Sequence, residues 1–159
     1  MITFDDVKAV IQDNEELFDF TGGVSDDRIA SAEEYLGVSF PESYKCFLKN
    51  YGTAEMDSLE IYGILENRDF ENSEVPDAIW LTMQERQSID LPKELVIIYD
   101  TGTEFYFCLD TSEMKDGECP VVSIWNCSGG TKETVYESFP EFLMEECIEF
   151  ALEEEDEED

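Results

Sequence analysis

Histidine is absent from this chain of 159 residues, and nine lysines and arginines stand against 41 aspartates and glutamates. Without histidine there is no Ser-His or Cys-His pair for nucleophilic catalysis and no imidazole to build a zinc site. The five cysteines, at 46, 108, 119, 127 and 147, are odd in number and never form a C-x-x-C. That argues against the common zinc motifs and for reduced thiols rather than a disulfide framework. Cys46, Cys108 and Cys147 lie in apolar stretches and read as small core residues. No apolar run approaches the ~18 residues that a membrane span requires, and MITFDDVKAV has no basic leader region. There is no P-loop, and neither Asp5-Asp6 nor Asp26-Asp27 has EF-hand spacing. The expectation is a cytoplasmic, non-enzymatic chain with no metal, no cofactor and no membrane contact.

What is abundant is negative charge, a formal net of -32. Removing the seven acidic residues from Glu153 to Asp159 still leaves 34 against nine, so the body of the chain is acidic as well. Such a surface repels phosphate backbones and anionic lipids and attracts cationic proteins. Direct nucleic-acid binding is therefore not expected. Halophilic proteins are acidic too, and that account of the charge stays open beside a cationic partner; the 42% hydrophobic and 13% aromatic content supports a packed core rather than a charged coil. The length fits one domain, read as residues 1–152 followed by an acidic tail, 153–159.

Thr3 suits the cap of a helix carrying Phe4, Val7, Val10, Ile11 and Leu17, with Asp5 and Asp6 at its positive end. Ser25 opens a second helix with Ile29, Ala32 and Leu36 on one face, closed by Gly37. Pro41 begins a third, in which Tyr44, Phe47, Leu48 and Tyr51 follow helical spacing up to Gly52. Leu59 and Ile61 then alternate with polar neighbours as in a strand, and Pro76 to Gln87 reads as a short helix. Leu95–Tyr99, Glu104–Leu109 and Val121–Trp125 are rich in β-branched and aromatic residues and are joined by short turns, the signature of antiparallel strands. Ser138-Phe139-Pro140-Glu141 has the form of a capping box, followed by an apolar stripe of Phe139, Phe142, Leu143, Cys147, Phe150 and Ala151. The fold class is α+β: a single domain with a mainly antiparallel sheet, flanked by N-terminal helices and a C-terminal helix.

The run from Ile29 through Leu36-Gly37, Phe40-Pro41, Tyr44, Phe47-Leu48 and Gly52 resembles the amino-terminal signature of the SUKH superfamily. Leu95-Val-Ile-Ile98, Phe105 to Thr111, Cys119-Pro120-Val-Val122 and the helix at Phe139 to Leu143 resemble its later strands and closing helix. The Met114 to Val122 run is similar to bacterial members that accompany secreted polymorphic toxins. The resemblance implies an immunity protein, a cytoplasmic inhibitor that neutralises a cognate toxin. Many toxins neutralised by relatives are nucleases, which present cationic residues to phosphate. An acidic inhibitor suits such a surface, with carboxylates steering the encounter and aromatic anchors supplying affinity.

On that reading the partner-binding candidates are Glu55, Asp57 and Glu60 around the first strand, Asp100 and Glu104 at a hairpin, and Tyr62 and Trp125 as aromatic anchors. Half-buried packing competes as an account of both aromatics, and an Asx-turn competes as an account of Asp110, which precedes Thr111 and Ser112. Two other classes stand beside the immunity reading: a regulatory or scaffolding interaction domain, and a carboxylate-based hydrolase or metal-binding protein.

Overall fold

Thr3 starts the first helix by reciprocal capping: its hydroxyl accepts from the Asp6 amide (3.2 Å) and its own amide donates to the Asp6 carboxylate (2.9 Å). The computed structural model describes the backbone of residues 1–158 and side chains through Glu153; Asp159, the end of the acidic tail, lies outside the described residues. Helix α1 (Phe4–Asp13) buries Phe4, Val7 and Ile11. It stops short of Leu17, because the Asn14 side chain turns back to the Val10 carbonyl and a 3-10 turn follows over Glu15–Leu17. Phe18–Phe20 then forms β1, a strand that was not read from the sequence.

Helix α2 (Asp26–Leu36) is capped by Ser25 and ends at Gly37, whose φ of 73° requires the left-handed region. Helix α3 (Glu42–Asn50) has Pro41 at its N-cap, and proline has no side chain able to cap. Glu118 supplies the missing acceptor from across the fold, taking both the amide and the hydroxyl of Ser43. Strands β2 (Ala54–Met56) and β3 (Leu59–Ile61) complete a three-stranded antiparallel sheet in the order β1-β2-β3.

Helix α4 (Ala78–Ser88) starts after the expected Pro76, at Asp77, whose buried carboxylate accepts from the Ile79 and Trp80 amides. A second antiparallel sheet follows in the order β4-β5-β6-β7, made of Leu95–Asp100, Phe105–Asp110, Val121–Trp125 and Glu133–Tyr136. The Tyr62 amide donates to the Ile98 carbonyl (2.9 Å), which lays the chain leaving β3 alongside β4 and joins the two sheets.

The main core lies between the helices and one side of these sheets, where Tyr44, Phe47, Phe139 and Phe142 are fully buried. Phe139 meets Tyr44 edge-on at 5.0 Å between ring centroids, and Tyr99 meets Phe142 at 5.5 Å. A smaller core on the opposite side of β4-β5-β6 holds Tyr62, Leu91, Leu95, Ile97, Cys108, Val122 and Ile124 beneath Ala78 and Leu81 of α4.

The closing helix runs as α5 (Phe139–Phe142), a π-helical stretch over Leu143–Ile148, and α6 (Glu149–Glu158), so it continues into the acidic tail. The wide turn, marked by the Glu149 amide bonding to the Met144 carbonyl, advances the helix phase by about one residue. Ile148 is thereby buried, and Phe150, expected in the stripe, is left 42% exposed. Cys108 and Cys147 are core residues as expected, whereas Cys46 is exposed. Its position on α3 falls between the buried Tyr44 and Phe47–Leu48.

Candidate functional site

Glu55 and Glu60 stand directly opposite each other in the β2–β3 ladder, and Asp19 of β1 stands opposite Glu55 on the other side. Because Phe18, Ala54, Met56 and Ile61 face the core, the alternating residues Asp19, Glu55 and Glu60 share the outer face. Three carboxylates therefore lie abreast across a three-stranded sheet, in positions where like charges repel. Burial, and then the Glu55 charge, hold the Glu60 carboxyl above the usual range. Asp57 sits in the turn joining β2 to β3, exposed, with a φ of 55°.

Two residues along from Glu60, Tyr62 is only 7% exposed, so its ring is packing rather than a projecting anchor. Burial, the Asp100 charge and the Glu60 charge together push its phenol up to about 12. The Tyr62 amide bond to the Ile98 carbonyl sets Tyr62 beside β4, two residues from Asp100, a closeness that their sequence separation hides. Asp100, the last residue of β4, pairs with Tyr106 of β5 and uses one carboxylate oxygen to accept from the Gly102 amide, tightening the hairpin. Glu85 of α4 lies close enough to the Tyr106 hydroxyl to raise that phenol too, after burial.

Tyr106 and Glu85 were not singled out from the sequence, although the signal was present. Tyr106 alternates with the inward-facing Cys108, and Glu85 follows Ala78 and Leu81 on the helix face turned toward the sheet. Trp125 belongs elsewhere. It lies 39% exposed on the other side of the sheet, with its ring against Phe105 at 4.6 Å. Glu104 is at that end of the hairpin, where its carbonyl accepts from the Asn126 amide. The seven candidates thus divide. Glu55, Glu60, Tyr62 and Asp100 form one connected region, Asp57 caps its hairpin, and Glu104 with Trp125 marks a separate surface.

A family model described as SMI1-KNR4 cell-wall matches residues 5–148. The chain belongs to the SUKH superfamily. A crystal structure of a protein from Pseudomonas syringae pv. tomato has the same fold, with a TM-score of 0.62 and 20% sequence identity, covering 89% of this chain and 98% of that one.

Other acidic features of this SUKH domain have local structural roles. A cleft of about 1170 Å³ is lined by Asp5, Asp6, Glu118 and Glu141 among others. Asp6 completes the α1 capping box, Glu118 caps α3, and Glu141 accepts from the Glu137 amide at the start of α5. The backbone and side-chain hydrogen bonds from Thr3 hold the Asp6 carboxyl below its ordinary range. Asp110 is fully buried, where its Oδ1 accepts from the amide and hydroxyl of Ser112 in the expected Asx-turn. Among the described residues no group of three or more Cys, Asp or Glu side chains is arranged to hold a metal ion, and no helix is long and apolar enough to cross a membrane.

Proposed function

We propose that this SUKH protein is an immunity protein that acts in the cytoplasm of its producer, binding a cognate secreted toxin and covering the surface by which the toxin holds its substrate. The observation that carries the proposal is the uncompensated carboxylate row Asp19, Glu55 and Glu60, continuing to Asp100, on a family domain that spans nearly the whole chain. A basic nuclease domain is the toxin class that fits this field, because a phosphate-binding surface is cationic whatever sequence it cleaves. Blocking such a surface needs no turnover, metal or cofactor. Steering by opposite charge raises association rates toward about 10⁸ to 10⁹ M⁻¹s⁻¹ at low salt.

The test is co-expression with the toxin encoded beside this protein. Protection of the cell, with a complex that weakens as salt rises, is the expected result. A soluble, folded protein that fails to protect counts against immunity.

The cell-wall description of the matching family favours a second reading, a regulatory interaction domain without a toxin. In that case the neighbouring gene encodes no secreted toxin, and affinity capture returns a resident cytoplasmic partner instead.

A further inference from the structure

We propose that the cleft at the starts of α1, α3 and α5 is a docking groove for a segment of the partner in which arginine or lysine alternates with apolar residues. The inference rests on the immunity reading for the partner's identity. It adds a second surface, because none of Asp19, Glu55, Glu60 and Asp100 lines this cleft.

The walls of the groove are fixed by hydrogen bonds. Asp116 and Gly117 both have positive φ, 53° and 82°, and Lys115 and Glu118 exchange backbone bonds at 2.7 and 3.0 Å, so the chain before β6 makes a tight turn. That turn is pinned to α3, where the Glu42 amide donates to the Gly117 carbonyl at 2.8 Å and the Ser43 amide to the Glu118 carboxylate at 3.0 Å. The Thr3–Asp6 capping box holds the wall at α1. A surface already ordered loses little freedom when a partner docks, which favours affinity.

The base of the cleft is apolar, since Phe4 and Pro140 are buried and Ile2 and Pro120 half-buried. Its rim is acidic. Nine carboxylates line the cleft against one basic side chain, Lys115, about twice the imbalance of the chain as a whole, 41 to nine. Asp6, Glu118 and Glu141 are already engaged by backbone amides. Asp5, Glu113, Asp116, Glu137 and Glu145 are exposed, and none of the five ion pairs among the described residues uses them.

Floor and rim together select the occupant. At about 1170 Å³ the cleft exceeds the ~300–1,000 Å³ of ordinary small-molecule sites and suits a length of chain. A second copy of this chain, itself at a net charge of -32, is repelled. A purely apolar segment would cover the floor and desolvate the rim carboxylates without pairing them. Lysine and arginine carry an apolar stem and a charged tip, so a basic segment lays stems and apolar neighbours on the floor while its tips reach the rim.

Two thiols report occupancy. Cys46 lines the cleft, and Cys127, the other exposed cysteine among the described residues, does not. The experiment alkylates the full chain with iodoacetamide, read at each cysteine by mass spectrometry, with and without the capped peptide Arg-Leu-Arg-Leu-Arg or its equally charged control Arg-Gly-Arg-Gly-Arg. The leucine peptide should slow Cys46 about tenfold at about ten times its Kd and leave Cys127 unchanged. It should bind about tenfold more tightly than the glycine peptide, the scale of partly burying two leucines. Glu113→Gln/Asp116→Asn should weaken it about fivefold, and asparagine tolerates the positive φ of that turn. Glu149→Gln/Glu153→Gln on exposed α6 removes the same charge and should weaken it less than about twofold. Amide NMR spectra report that both variants are folded. Equal slowing of Cys46 and Cys127, equal affinity for the two peptides, or equal weakening by the two double variants would each overturn the groove. Co-expression with the neighbouring toxin separates the two levels. Peptide protection of Cys46 in a protein that fails to protect cells keeps the groove and sinks the immunity reading. Protected cells, with Cys46 alkylated as fast in the toxin complex as in the free protein, keep immunity and sink the groove.

Discussion

Lys132 donates its ammonium to Oδ2 of Asp110 across 2.7 Å, tying the loop before β7 to the end of β5. The carboxylate is almost wholly enclosed while the lysine is 43% exposed, so one partner is buried and the other remains screened by water. Burial alone would raise the Asp110 carboxyl, but the hydrogen bonds from Lys132 and Ser112 outweigh it and leave the group below its ordinary range.

Removing the lysine strands a buried charge. Lys132→Met should therefore destabilise the fold by about 1–2 kcal/mol, discounted from a fully buried pair because Lys132 is half in solvent. Since the folded Asp110 binds its proton less readily than the unfolded one, its contribution is present above the unfolded carboxyl range, near pH 4, and is lost as pH falls through the lower folded value. Urea unfolding from pH 7 down to pH 3 should show that acid-side loss in the wild type and a smaller one in Lys132→Met.

Glu60 runs the other way. Its folded carboxyl is held above the usual range by burial and by Glu55, so the folded state takes up a proton before the unfolded state does. Stability should rise as pH falls from neutrality through the folded value of this group, until the unfolded value is reached. Glu60→Gln should remove that dependence and stabilise the protein by a few tenths of a kcal/mol at pH 7, the scale of one unfavourable cross-strand pair. Denaturant midpoints at pH 7 and pH 5 are the measurement, and an unchanged pH slope in Glu60→Gln would contradict the assignment.

The elements read from sequence are those with local chemistry at their ends. Thr3, Ser25, Gly37 and Ser138 act on amides or carbonyls a few residues away, so the helices they bound were legible. Strands β1 and β2 carried no signal that was read from the sequence, and β7 is exposed over its first three residues with only Tyr136 half-buried, so it has no apolar alternation to detect. The π-helical turn moved Phe150 outward without altering any residue type. The site behaved similarly. Glu55 and Glu60 are neighbours across a two-residue turn and were found together, whereas Tyr62, Glu85, Asp100 and Tyr106 meet only because the chain after β3 pairs with β4 and α4 folds over the sheet. No spacing in the chain encodes that long-range contact.

Gly63 marks the point where that route is tightest. A β-carbon there would lie 1.8 Å from the Gly52 carbonyl oxygen, a backbone atom that cannot rotate away, and the Ile64 amide bonds to that same oxygen. Gly63→Ala should cost about 4 kcal/mol or more and loosen the approach of β3 to β4. At Gly102, with a φ of 81° and no atom within 4 Å of the added carbon, alanine meets only the backbone penalty of about 1–2 kcal/mol. Chemical denaturation of the two variants side by side distinguishes steric from conformational cost, and similar losses in both would refute the packing account.

Charge acts at two ranges in this protein, and deletion of residues 153–159 separates them. The segment holds seven carboxylates and follows Ala151, the last buried residue of the closing helix among those whose side chains are described, so its removal should leave the folded domain and its denaturant midpoint nearly unchanged. It lowers the net charge from -32 to -25, which weakens the long-range field while leaving Glu55, Glu60 and Asp100 in place. Association with a cationic toxin should then slow and lose part of its salt dependence, while dissociation, set by close contacts, stays the same. Stopped-flow association at low and physiological ionic strength reads the first effect, and surface-immobilised dissociation reads the second. Unchanged association at low salt would show that steering arises from the sheet face alone, and a faster dissociation would mean that the tail itself touches the partner.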